Sequence, residues 1–295
     1  MSFDVILLGT GSPLPNPDRC GAGQVVISAD DRIVIDLGWG AARRLFAGGV
    51  PPPGVDTLCI THLHSDHTTD IPDFLIMRWA GGAQRPLTVY GPEGTRSMME
   101  HFLAAMERDI YYRFAHHGEK LSQEGIKVEV HELPATADRR VAGTIGAITV
   151  ESFEVDHFPV VPALGFRLSA AGAVAVFSGD TKKCDNLTRA AQGADLLVCE
   201  ALNANIFKVM GERLRAVNAN TAAVMDDVPD YHATTIEVAE MARDAGVKKL
   251  VLSHLIPPVP NEGPLAEGFA AGMSDVFAGE IVVGRDLMRL TVGAG

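Results

Sequence analysis

The chain has 295 residues, enough for one large domain or two small ones with a substantial buried core. Apolar residues make up 47% and charged residues 21%, a balance that excludes extended disorder. The formal charge of −12 repels polyanions and sets nucleic acid and membrane surfaces aside as partners, unless a local basic groove or bound cations reverse the field.

Short apolar runs rich in β-branched residues and bounded by Gly, Pro or Asp predict strands at 5–8, 25–28, 33–37 and 58–61. A helix is expected over 71–80, a strand over 87–90 and a second helix over 93–108. Between 109 and 145 only a strand at 126–132 and a polar surface loop at 135–140 are legible. Strands resume at 148–155, 163–168, 174–178 and 196–199, and 203–230 reads as irregular. Thr234 and Glu237 then form a capping box, Ile236, Ala239, Ala242 and Ala245 recur at helical spacing, and Gly246 ends the helix. A strand at 248–253, a helix at 264–278 and a strand pair within 280–292 close the chain. Two blocks of strands, each followed by helices, predict an α/β sandwich of two sheets with helices outside. No repeat or low-complexity linker divides it, so 1–295 is read as a single domain. Cys20, Cys59, Cys184 and Cys199 are far apart and read as reduced thiols. The first residues lack a basic leader, and no stretch approaches the roughly 18 apolar residues of a membrane helix. A cytoplasmic location with no membrane partner is therefore expected.

The segment His62-Leu63-His64-Ser65-Asp66-His67 carries the strongest chemical signal. It follows an apolar strand directly, where side chains converge. His62 and His64 lie two apart, so in extended backbone they point the same way and can bind one ion. Asp66 and His67, where the chain turns, can serve a second. Imidazoles with a few carboxylates suit zinc, with Mn2+ and Fe2+ also open. A polar turn of solvated histidines is the bland alternative, and three His and one Asp in six residues against a buried strand weigh against it. His157, Asp180 and His254 each follow an apolar strand, and with the loop they complete a set of five His and two Asp.

The ordered set of H-L-H-S-D-H, a strand-end His157, S-G-D-T around Asp180 and S-H at His254 resembles the metallo-β-lactamase superfamily, from Gly9 to His254. The resemblance implies a four-layer αββα sandwich of two mixed β-sheets flanked by helices, with the metals at one edge. It implies that His62, His64 and His157 hold one metal, Asp66, His67 and His254 the other, and that Asp180 bridges them. The opening L-L-G-T-G-S-P-L-P, the turn D-L-G at Asp36 and Y-H-A-T-T-I-E-V-A from Tyr231 are more closely similar to the ribonuclease Z and arylsulfatase branch. There, a histidine matching His232 and an acid matching Glu200 act beside the metals. His232 precedes a helix N-terminus and stands outside the metal set, so it can donate a proton to a leaving oxygen. Glu200 either orients His232 or is a buried structural acid, and Asp66, besides binding metal, can steer the attacking water.

Two ions about 3.5–4 Å apart make a bridging hydroxide near neutral pH. The main expectation is thus a di-zinc hydrolase of a phosphodiester, sulfate ester or related small ester, arylsulfatase- or phosphodiesterase-like, with a small anionic or ester substrate. A ribonuclease Z-like transfer-RNA 3′-processing endonuclease stands second. Only 22 residues separate His157 from Asp180, too few for the RNA-gripping arm usual there. L-I-P-P-V-P-N after His254 also lacks the usual Ser and Arg, and the charge is acidic. Lactone or β-lactam hydrolysis is a further alternative. A pseudo-enzyme would have lost ligands, and a di-iron redox member carries an acid where His64 stands. Gly9-x-Gly11 is a turn rather than a nucleotide motif. His116, His117 and His131 read as surface or packing residues, and Arg213 and Arg215 as solvated unless they contact an anionic substrate. Related enzymes commonly dimerise, so a homodimer is open.

Overall fold

The computed structural model describes residues 2–293. The first half of the chain builds one sheet from β1 (Phe3–Gly9), β2 (Gly23–Ser28), β3 (Asp31–Ile35), β4 (Thr57–Cys59), β5 (Leu87–Gly91) and β6 (Val128–Glu132). The second half builds another from β7 (Arg140–Ile145), β8 (Ile148–Glu154), β9 (Leu164–Ala170), β10 (Ala173–Phe177), β11 (Leu196–Leu202), β12 (Lys249–Ile256) and β13 (Glu280–Val283). The last strand, β14 (Arg289–Val292), returns to the edge of the first sheet beside β1. The two orders are β14-β1-β2-β3-β4-β5-β6 and β13-β12-β11-β10-β9-β8-β7. Both sheets are mixed. β3 to β6 and β10 to β13 run parallel, and the other pairings are antiparallel.

Alternation along the strands sends side chains to opposite faces. Val5, Leu7, Ile33 and Ile35 of the first sheet meet Leu164, Phe166, Phe177 and Val198 of the second in one inner core. Ile6, Leu8 and Val34 point the other way and are covered by α1 (Ala41–Ala47) and α3 (Ile71–Ala80), with the one-turn α2 (Ser65–Thr68) between them in sequence. α4 (Thr95–Ala105) packs on β6, and α5 (Glu107–His117) has no buried residue. On the far side α6 (Asp185–Ala190) and α9 (Thr235–Ala245) cover the second sheet through Leu187, Val238, Met241 and Ala242. The layers are helix, sheet, sheet, helix, as the sequence predicted.

The structure corrects several local readings. The irregular segment 203–230 is a helical hairpin, α7 (Ala204–Arg215) and α8 (Ala219–Asp226), docked by a small cluster of Phe207, Met225, Leu202 and Ile256. The helix expected over 264–278 is only α10 (Pro264–Gly268), because glycines at 268 and 272 interrupt it and Gly272 takes φ +80°. The helix expected over 93–108 ends at Ala105, and α5 continues to His117. The four cysteines form no disulfide. Among the described residues no helix is long and apolar enough to cross a membrane.

Candidate metal centre

The C-terminal ends of the parallel strands open on one edge of the sandwich, where ligands of open α/β sheets gather. Asp36 follows β3, the His62–His67 loop follows β4 and Asp180 follows β10, while Glu200 and His254 lie near the ends of β11 and β12. His157 arrives from β8 on the same edge. Two glycines allow the loops to close in. A Cβ at Gly38 would collide with the carbonyl oxygen of Asp66, and Gly179 takes φ +62° with Thr61 against it.

The backbone is irregular where it aims side chains. Glu200 pairs with Ser253, but Ala201 pairs with Leu255, so His254 is an extra residue in β12. It adopts φ +44°, and Asp36 adopts φ +55°. Left-handed backbone at two non-glycine residues of one site costs on the order of 1–3 kcal/mol each and persists only where the surroundings enforce it.

His62, His64, His157 and Asp180 place one donor atom each within 4.8 Å of one another, and so do Asp66, His67, Asp180 and His254. Asp180 belongs to both groups. Its Oδ2 lies 3.8 Å from His62 Nε2, 3.9 Å from His157 Nε2 and 3.4 Å from His254 Nε2, and its Oδ1 lies 3.3 Å from His67 Nε2. His254 Nε2 is also 3.0 Å from Asp66, and His157 Nε2 is 3.4 Å from His64 Nδ1. All of these residues except His64 are buried. Nε2 of His62 and of His67 have no hydrogen-bond partner although carboxylates face them. Buried nitrogens and carboxylates aimed at a shared space, several of them without a hydrogen-bond partner, are a donor set for cations.

The opposite ring nitrogens of three of these histidines are occupied. His67 Nδ1 donates to Asp36 Oδ2 at 2.8 Å, His157 Nδ1 to the Tyr231 carbonyl at 2.9 Å, and His62 Nδ1 lies 3.1 Å from Thr61 Oγ1. Thr61 in turn donates its N–H and hydroxyl to Asp36. These contacts fix the tautomer that leaves Nε2 free. Sequence reading placed Asp36 only in a turn. The strand expected over 33–37 runs through it; β3 ends at Ile35, so Asp36 follows a strand end as Asp180 does.

Burial pushes the His62 imidazole well below its ordinary value, lowers His64 and takes His157 down to about 4. For His67 burial is outweighed by Asp180, Asp66 and Asp36, which raise it well above the ordinary value. Burial also opposes the charge on Asp180, yet His254 and His67 hold its carboxyl well below the usual range.

Glu200 and His232 form a second constellation against the first. His232 Nδ1 lies 2.8 and 2.9 Å from the two Glu200 oxygens, and the Thr181 N–H also donates to Glu200. The His232 ring stacks beside His254 with centroids 5.7 Å apart and lies 5.2 Å from His157. Burial, aided by the Asp180 charge, pushes Glu200 well above the usual carboxylate range, and burial lowers His232. The remaining histidines stay outside. His116 and His117 are exposed on α5, and His131 stacks on Tyr90.

The beta-lactamase superfamily domain model matches residues 31–255. The chain is 36% identical over 295 residues to a ribonuclease Z of Mycobacterium bovis, covering 98% of each, and 38% identical over 296 residues to one of a Mycobacterium sp., covering 99% of this chain and 97% of the relative. Its fold is similar to the metallo-beta-lactamase fold protein YhfI from Bacillus subtilis, with a TM-score of 0.73, 19% identity and coverage of 99% and 100%. It is also similar to human tRNase Z, short form, with a TM-score of 0.70, 22% identity and the same coverage.

These relatives overturn two expectations. The arylsulfatase- or phosphodiesterase-like reading, with a small anionic or ester substrate, gives way to the ribonuclease Z alternative. The exclusion of nucleic acid as a partner falls with it. Two of the arguments against that alternative, the missing arm and the acidic charge, fail physically. An alignment over 295 residues that covers 98% of both chains leaves no room for a long arm in that relative. A net charge, moreover, is a sum that does not describe the field at one edge. The chain belongs to the metallo-β-lactamase superfamily, in its ribonuclease Z branch, and is a metal-dependent hydrolase of ester bonds.

Proposed function

We propose that this protein is an endoribonuclease that cleaves a phosphodiester bond at the 3′ side of precursor transfer RNA. The observation that carries the reading is end-to-end similarity to proteins named ribonuclease Z, at 36–38% identity. In this reading His62, His64 and His157 hold one divalent ion, Asp66, His67 and His254 hold a second, and Asp180 touches both. Five imidazoles and two carboxylates suit Zn2+. Ions bound there supply Lewis acidity and lower the pKa of water.

The chain's own residues do the rest. Asp36, Thr61 and the Tyr231 carbonyl hold the imidazoles in the ligating tautomer. Asp66, hydrogen-bonded by His254, would also orient the attacking water in this reading. His232 keeps Nδ1 on Glu200 and presents Nε2, from which a proton passes to the departing 3′ oxygen of the RNA. Glu200 fixes that ring through Nδ1 and, with its own carboxyl held above the usual range, keeps a proton on the pair to replace the one that leaves Nε2.

The test is incubation of the zinc-reconstituted protein with a precursor transfer RNA bearing a 3′ trailer, with bis(p-nitrophenyl) phosphate in parallel. A single cut at the trailer junction, lowered about 10²–10⁴-fold in kcat by His232→Ala with metal content retained, is expected. Hydrolysis of the small diester with no cut in the precursor overturns the reading.

A further inference from the structure

The arm expected between His157 and Asp180 has no room in 22 residues, but 31 residues separate Glu200 from His232. They form α7 and α8, and the excursion starts and ends at the two members of the hydrogen-bonded dyad. Where α7 meets the chain just beyond His254, the structure holds a cavity of about 410 Å³. Its walls include Ile206, Val209 and Met210 of α7, Pro257 and Leu265, and Arg213 is the one charged residue lining it.

Three features set this cavity apart. Val209 and Leu265 are 48% and 49% exposed, so large apolar side chains face water at its rim. Arg213 makes no ion pair among the described residues, whereas its neighbour Arg215 is held by Asp226. Along the chain, its wall residue Pro257 stands three residues beyond His254 of the metal set.

We infer that this cavity takes an unpaired nucleobase of the RNA substrate, with Arg213 on the adjoining phosphate. The inference rests on the ribonuclease reading and names where the RNA is gripped. Apolar walls of this size accept a flat aromatic base out of water, and few polar groups in such a pocket fix orientation. Single-stranded RNA offers splayed bases next to phosphates, and proteins hold them by apolar or stacking contact plus a guanidinium. Arg213, with no ion pair among the described residues and apolar walls beside it, leaves its guanidinium open to a phosphate.

The experiment measures kcat and KM for the zinc-loaded wild type, Val209→Asp, Arg213→Ala and Arg213→Lys. The substrates are a precursor transfer RNA with a 3′ trailer and bis(p-nitrophenyl) phosphate, and sedimentation of each protein is run alongside. Val209→Asp and Arg213→Ala are expected to lose about tenfold or more in kcat/KM on the RNA, mainly through KM. Arg213→Lys should recover part of it, and any loss on the small diester should be several-fold smaller. RNA kinetics within about twofold of wild type for both variants overturns the inference. So does a change from dimer to monomer in Val209→Asp that accounts for the RNA loss, since the cavity would then be a contact between copies. A wild type that hydrolyses the diester but leaves the precursor intact fails at the ribonuclease reading itself, and the inference falls with it.

Discussion

Asp36 binds Thr61 through both its N–H and its hydroxyl and still accepts from His67 Nδ1, so one carboxylate sets the position of the loop and the tautomer of a donor. Such partners of ligating histidines change metal affinity by about 10–100-fold when removed. Asp36→Ala is therefore expected to weaken zinc binding by that factor in chelator competition, with far-UV circular dichroism unchanged. His157 gives a second residue-level expectation. Burial sets its native value at about 4 in the metal-free protein, below the roughly 6.5 of an unfolded chain. Between those values the unfolded chain binds a proton that the native state refuses, so this contribution to stability falls as pH falls from about 6.5 to about 4. Urea unfolding of the metal-free protein at pH 7 and pH 4.5 should show a smaller drop for His157→Gln than for wild type. The donor residues were legible because four crowd into six positions and the others each end an apolar strand. Asp36 was not, since the apolar run around it reads as a strand to Leu37 and hides the strand end.

At the scale of elements, the position of His232 is set by what lies on either side of it. Ala233 donates its N–H to the Thr181 carbonyl and accepts from the Leu202 N–H, which pins the segment between two strand ends. Thr234 then caps α9, its side chain accepting from the Glu237 N–H while Glu237 reaches back to the Thr234 N–H. Removing such a cap costs about 0.5–2 kcal/mol. Thr234→Ala should lower the urea midpoint by an amount corresponding to about 1 kcal/mol, and should lower kcat because the segment holding His232 loosens. This capping box was readable because its residues lie three apart. The α7–α8 hairpin was not, because Gly211 and a run of small polar residues blur the periodicity, although Asn203 and Asn218 cap both helices and were available as signals. The bulge at His254 left no local sign at all. It follows from the register of β11 against β12, a pairing of residues about fifty positions apart.

At the scale of the whole molecule, the acidity that argued against RNA becomes a quantitative constraint once RNA is taken as the substrate. In the proposed reading two divalent ions would offset about a third of the net charge of −12, at the sheet edge where the histidines gather. The field at that edge is therefore governed by a few fixed charges, while the rest of the surface repels the polyanion. Each cation that displaces counterions from RNA contributes a slope of about −0.7 to −0.9 in log affinity against log salt. A grip through one or two cations predicts a slope of roughly −1 to −2 for kcat/KM on a precursor transfer RNA, reduced by about one unit in Arg213→Ala. Hydrolysis of bis(p-nitrophenyl) phosphate over the same range should stay within about twofold, because that substrate reaches only the metal centre. A slope steeper than about −4 would mean that many cations track the backbone, and the α7 cavity would then be incidental to affinity. A flat line would place all of the RNA affinity in the metal ions and the base pocket.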